Sequence, residues 1–131
     1  MVKFDIRKLN IWFGAIHALK EVSLQVQANE ILSVIGPANS GKTTFLRMLN
    51  RINDLQPNLK LTGSVSLDGK DIMMTDAEEV RSQVGMVFAL PLPLPLSIVD
   101  NVAYGVRMRG ARKQALAGVI EQALRDAYLW E

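Results

Sequence analysis

Residues 31–49, ILSVIGPANSGKTTFLRML, constrain this chain more than any other stretch. They open on an apolar, partly β-branched run, Ile31-Leu32-Ser33-Val34-Ile35, which reads as a buried strand. They close on Phe45-Leu46 and Met48-Leu49, apolar pairs at helical spacing. Between them, Gly36-Pro37-Ala38-Asn39-Ser40-Gly41-Lys42-Thr43 fits G-x-x-x-x-G-K-[ST] at every fixed position. A strand before the motif and a helix after it are the context the motif requires.

The spacing follows from chemistry. A triphosphate needs several donors converging on it, and successive backbone N–H groups of a tight loop, here about Asn39 to Thr43, point into one concavity. A helix starting near Gly41 adds its free N–H groups and the positive end of its dipole. Lys42 is placed to reach the β- and γ-phosphates, and the Thr43 hydroxyl to ligate Mg²⁺. Gly36 and Gly41 permit backbone approach that a Cβ would block.

The remainder bounds what can be built around this loop. The chain has 131 residues, one domain's worth, and 49% of them are hydrophobic, enough to fill a core. A net charge of +2 is a mixed surface and gives no argument for nucleic acid. Cysteine is absent, which excludes a disulfide framework and thiol chemistry and suits the cytosol. The opening MVKFDIRKLN scatters charges and lacks the apolar centre of a signal peptide. No run approaches the ~18 apolar residues of a membrane span, so a membrane role would be peripheral.

Taken in order, residues 2–9 alternate as a half-buried strand with Val2, Phe4 and Ile6 on one side. Residues 10–14 are expected to turn, carrying Trp12 and Phe13, and 18–26 to form a second strand with Val22, Leu24 and Val26 in alternation. A helix is predicted over 42–51, then a polar loop over 53–60. Val65 and Leu67 alternate with serines before an Asp68-Gly69 turn. Thr75-Asp76-Ala77-Glu78 is a capping box for a short helix ending by Gln83. Val84-Gly85-Met86-Val87-Phe88 reads as a buried parallel strand. In ALPLPLPL, residues 89–96, prolines at 91, 93 and 95 impose an extended, polyproline-like surface loop. Ser97 is positioned to cap a helix over 98–108, and a last helix over 112–128 carries an apolar stripe of Leu116, Val119, Ile120, Ala123, Leu124 and Ala127.

These landmarks carry a resemblance. Phe13-Gly14, His17-Ala18-Leu19-Lys20, GPANSGKTT, Arg47-Met48-Leu49-Asn50-Arg51, Leu67-Asp68-Gly69-Lys70, Val84-Gly85-Met86-Val87-Phe88, the three prolines and Asp100-Asn101-Val102-Ala103-Tyr104-Gly105 follow one another as in an ABC-transporter ATP-binding subunit. The chain resembles the N-terminal half of such a subunit over nearly its whole length. The proline spacing and SIVDNVAYG make it most similar to the ATP-binding subunits of bacterial phosphate importers.

The resemblance implies an α/β fold, a P-loop NTPase of the ABC type. An antiparallel β subdomain and a partial parallel core sheet would occupy about 1–97, and 98–131 would start the helical subdomain. It implies ATP and Mg²⁺ as ligands, held by Gly36, Pro37, Ala38, Asn39, Ser40, Gly41, Lys42, Thr43 and Thr44, with Thr43 on the metal. Phe13 sits where the family stacks an aromatic on adenine; as a strand-end aromatic it equally suits closing a small core, and Trp12 is expected to pack inward. Residues 89–97 fall where the family docks its membrane permease subunits; a PxxP-type ligand is the rival reading of that stretch. A second ATP-binding subunit would complete a homodimer at the cytoplasmic face of the inner membrane, and no nucleic acid is expected as partner.

Three departures qualify this. Ala89 stands where the family has a glutamine that helps hold Mg²⁺ and the attacking water, which predicts weakened hydrolysis and coupling. Asn39 replaces a usual glycine, and asparagine is the side chain that best tolerates positive φ. Up to Glu131 there is no strand-end acidic pair, no Leu-Ser-Gly-Gly-Gln signature and no switch histidine, His17 lying too early. No catalytic residue is therefore assignable. The sequence taken alone is expected to be a truncated product or half of a larger protein, with strand edges open to aggregation. Two other readings stand beside the importer ATPase. One is a nucleotide-binding module without hydrolysis. The other is a small kinase or GTPase, for which base, lid and a guanine-reading Asn-Lys-x-Asp are missing.

Overall fold

Lys8 and Glu21 are the two non-glycine residues within strands that stand at positive φ, both at 46°, and they shape the sheet. The computed structural model describes residues 1–130. Strands β1 (Val2–Phe13) and β2 (Ile16–Gln27) form a hairpin, and β3 (Leu59–Leu67) and β4 (Lys70–Asp71) extend it in the order β2-β1-β3-β4. All three pairings are antiparallel. At Lys8 the β1 side chains change phase. Arg7 and Lys8 are both exposed, and the buried series Phe4, Ile6 resumes at Leu9 and Ile11. Between Arg7↔Ser64 and Asn10↔Thr62, two β1 residues face Gly63 alone, a β-bulge. Ser23 Oγ accepts the Lys8 N–H at 2.8 Å.

The expected turn at 10–14 is strand instead. Asn10 is a turn former by habit, but its side chain serves the second bulge: Oδ1 accepts the Glu21 N–H at 3.1 Å and Nδ2 donates to Lys8 O at 2.9 Å. With Asn10 so occupied, β-forming Trp12 and Phe13 continue the strand to a two-residue Gly14-Ala15 loop. Gly14 takes φ 58° there, at the first central position that a type II′ turn reserves for glycine. Trp12 does not pack inward. Strand alternation puts it across from the core, stacked on His17 at 4.2 Å between ring centroids, with Lys60 Nζ 5.4 Å over its ring. The Asp68-Gly69 turn forms as expected, both residues at positive φ in a β3–β4 hairpin.

The first of two compact units, Met1–Met86, buries one core. Ile6, Leu9, Ile11 and Val65 of the sheet join Phe45 and Met48 of α1 (Lys42–Leu49), Ile72, and Val80 of α2 (Ala77–Gln83). Helix α1 ends two residues earlier than expected because Arg51 enters the left-handed region at φ 61°. Its guanidinium is held there by Asp54 and by the carbonyls of Ile72 and Thr75. A short 3₁₀ helix (Ile52–Leu55) takes up the start of the expected loop. Asp76, one residue after the predicted Thr75, caps α2, accepting from the N–H groups of Glu78 and Glu79. The Thr75 hydroxyl instead donates to Asp71 O at 2.9 Å.

The two runs expected to start a parallel core sheet are not strands. Residues 31–35 are exposed, Ile31 and Ile35 above 90%, and 84–88 carry no regular structure. A parallel strand is made by its neighbours' hydrogen bonds, and among the described residues neither run has one.

The second unit, Val87–Glu131, has no regular structure over 89–96, where bends at 89–90 and 95–96 interrupt the expected extended loop, and continues as α3 (Ile98–Met108) and α4 (Lys113–Asp126). Ala103 of α3 packs on Leu116 and Ile120 of α4. Ser97 caps α3 as expected: its Oγ accepts the Asp100 N–H at 3.1 Å and donates to Asp100 Oδ2 at 2.6 Å. The Ser97 hydroxyl first, and Arg107 second, hold the Asp100 carboxyl below the usual carboxylate range. A carboxylate so depressed contributes its stabilisation above its unfolded pKa, near 4, and loses it as pH falls through the folded value. The N-terminal amides of α3 should therefore lose exchange protection as the pH falls below about 4, and an Asp100→Ala variant should show no such step.

Candidate functional site

The loop of 36–41 leans on β2. Gly41, at φ 89°, caps α1, and a Cβ there would lie 2.7 Å from both Ala18 O and Leu19 Cδ2. Only glycine meets both demands. Asn39 stands at φ 61°, the left-handed conformation its side chain tolerates. Helix α1 starts without a side-chain cap and without an acidic residue in its first turn. Neither of the usual devices therefore satisfies its leading N–H groups, which leaves its positive end available to an anion.

Lys42 is the charged group of the loop. Its Nζ donates to Gly36 O at 2.9 Å, to Pro37 O, and to Ser40 Oγ at 3.2 Å. Among the described residues no carboxylate forms a salt bridge with it. The ammonium thus sits inside the loop with its charge uncompensated. This arrangement fits a polyanion. For a metal, the chain offers the exposed Thr43 hydroxyl; among the described residues there is no group of three or more His, Cys, Asp and Glu.

Beside the loop opens a cleft of about 390 Å³ lined by Phe13, Ile16, His17 and Ala18 from the hairpin and by Asn39, Ser40, Gly41, Lys42, Thr43 and Thr44. Phe13 lines this cleft and also packs against the core. Gly36 and Pro37 border a second, more apolar cavity of about 320 Å³ with Leu19, Val22, Leu24, Val34, Ile35 and Phe45. Ala38 lines neither, and Ala89 lies in the second unit as an exposed methyl group.

Sequence reading missed Ile16, His17 and Ala18 as cleft residues. Only the hairpin register brings them there, with Ile16 opposite Phe13 and His17 opposite Trp12. His17 Nε2 lies 3.0 Å from Asn10 Oδ1, an oxygen that already accepts the Glu21 N–H, so Nε2 carries the ring proton. Asn53 was also missed. It is 2% exposed, and its Nδ2 donates to Thr44 O at 2.8 Å, tying the first turn of α1 to the 3₁₀ helix. A buried polar side chain needs such a partner, but sequence does not say which.

Comparison with known proteins places this geometry. Residues 19–129 match the ABC transporter family. The phosphate import ATP-binding protein PstB of two Bacteroides fragilis strains is in each case 44% identical over 133 residues, covering 99% of this chain and 53% of the relative. The chain thus spans about half the length of the curated relatives it matches. A motif of the phosphate-binding type, set between a β hairpin and a helix, and a family match over most of the sequence point the same way: the chain belongs to the ABC transporter family and, with it, to the P-loop NTPases.

Proposed function

We propose that this chain is the N-terminal part of the ATP-binding subunit of an ABC importer, with inorganic phosphate as the solute. The observation that carries the nucleotide site is the uncompensated Lys42 ammonium within the 36–41 loop, at the uncapped start of α1. The solute comes from the PstB relatives alone.

In this reading Gly36 to Thr44 form the phosphate cradle. Backbone N–H groups of about Asn39 to Thr43 and Lys42 Nζ bind and orient the phosphates. Phe13 stacks on the adenine at the far side of the cleft. The Thr43 hydroxyl holds Mg²⁺, which when bound supplies charge neutralisation on the phosphate oxygens. Residues 31–35 and 84–88 pair as parallel core strands once the remainder of the domain supplies their neighbours. The core then occupies about 1–97 and the helical subdomain starts at about 98. Two subunits close head to tail on ATP at the cytoplasmic face of the inner membrane, and residues 89–97 dock the permease.

The complete subunit, purified and mixed with Mg-ATP, tests this. Binding with turnover that increases on assembly with permease is expected; absence of ATP binding would overturn the proposal. Binding without turnover would make the chain a nucleotide-binding module. Ala89 bears on that choice, because a methyl group offers neither an oxygen ligand to a metal nor a hydrogen bond to water. Ala89→Gln should raise turnover about tenfold, the rate equivalent of one recovered hydrogen bond of about 1–1.5 kcal/mol. An unchanged rate would remove position 89 from the account.

A further inference from the structure

The segment 89–96 has no sheet partner, and three of its residues are prolines without an N–H. Such a segment should wander. One side chain holds it. Asn101, in the first turn of α3, accepts the Leu94 N–H on Oδ1 at 2.8 Å. Its Nδ2 donates to Leu94 O at 3.1 Å, to Leu96 O at 3.0 Å and to Ser97 O at 3.0 Å. Both polar groups of the Leu94 peptide thus end on one amide, as they would on a neighbouring strand. The Leu96 N–H turns back to Leu94 O at 2.7 Å, closing the same knot. Among the described residues no other side chain hydrogen-bonds to the backbone of 89–96. Beyond the knot the segment presents Leu90 and Leu92, 82% and 91% exposed.

We propose that Asn101 is the positioning residue of the permease-docking surface: it fixes the 94–97 backbone against α3 so that Leu90 and Leu92 are presented in one arrangement. This rests on the docking reading given above. Asparagine is required because the site asks for one acceptor and a donor group at once. Aspartate keeps the acceptor but turns a second carboxylate oxygen toward three carbonyls. Alanine removes every bond. Ordering the loop in advance lowers the entropy lost on docking.

The test uses the complete ATP-binding subunit, tagged and co-expressed with its permease, in the forms Asn101→Ala, Asn101→Asp and Leu92→Asp. Three quantities are read: permease recovered with the subunit, Mg-ATP affinity of the subunit alone, and hydrogen exchange at the Leu94 amide. For both Asn101 variants permease recovery should fall about tenfold, the equivalent of roughly 1.4 kcal/mol, with ATP affinity within twofold of the parent. Leu94 exchange should accelerate most in Asn101→Ala, which retains no acceptor for that N–H. Should the alanine form fail to fold, the near-isosteric Asn101→Asp decides. If Leu92→Asp abolishes recovery and the Asn101 variants do not, docking stands and the role of Asn101 is overturned. If Leu92→Asp leaves recovery intact, the docking reading falls and the inference with it. Loss of ATP affinity in Asn101→Asp would mean a general folding role and would also overturn it.

Discussion

Lys42→Ala is expected to lower Mg-ATP affinity of the complete subunit by about 100-fold or more. The ammonium is the one side-chain charge inside the loop, and among the described residues no salt bridge neutralises it. A hydrogen bond between charged groups contributes about 1.5–3 kcal/mol, and a lysine reaching two phosphates makes two of them. The fold should survive, because Lys42 lies outside the core and its side-chain hydrogen bonds go only to Gly36, Pro37 and Ser40. Nucleotide titration and circular dichroism, run on the same preparation, separate the two effects. Parent-like affinity in a folded Lys42→Ala protein would mean that the loop does not cradle phosphate. Lys42→Arg should not restore binding fully, since a planar guanidinium cannot replace a compact ammonium within three oxygens of a tight loop.

The second large effect concerns folding. Gly63→Ala should destabilise the first unit by about 3 kcal/mol or more. Gly63 faces the β1 bulge at φ 89°, and a Cβ there would sit 2.5 Å from Arg7 O and closer still to Lys8 O. Both neighbours are backbone, so relief requires the bulge itself to move. Gly69 provides the comparison. It too has positive φ, 79°, but a Cβ there would meet nothing within 4 Å. Gly69→Ala should cost only the conformational penalty, about 1 kcal/mol. Denaturant midpoints of the two variants should therefore differ clearly. Equal midpoints would mean that the close approach at the bulge does not decide the stability of Gly63.

The parts of this fold that sequence reveals are those whose physics is local. Asp68-Gly69 forms its turn, Ser97 caps its helix, and α3 runs over 98–108 as the spacing predicts, because each depends on residues within one turn of chain. The apolar stripe of the last helix is half right for a related reason. Leu116 and Ile120 are buried while Val119, at the margin of the stripe, is 41% exposed. Periodicity finds a face but does not measure how much of it a neighbour covers. Residues 31–35 and 84–88 have the composition of core strands and lack strand pairing, because a strand exists only with a partner. Asn10 misleads for the opposite reason: its amide satisfies a distant bulge, and no short-range rule reports that. The same division runs through the site. The need for glycine at position 41 is legible because the motif fixes it, and the structure leaves no room for a Cβ there. The cleft wall at Ile16, His17 and Ala18 depends on cross-strand register, and the anchoring Asn53 on a contact nine residues away.

The three oxygens around Lys42 also bear on which anions the loop can tell apart. Gly36 O, Pro37 O and Ser40 Oγ already solvate the ammonium, so any anion must displace at least part of that shell. Binding is thereby an exchange, and its net gain grows with the charge brought in. A chloride ion replaces dipoles with one diffuse charge and gains little, whereas a chain of phosphates brings several localised charges that also reach the helix start. The loop should therefore discriminate by charge density before it discriminates by shape, and ordinary cellular salt should compete with nucleotide only weakly.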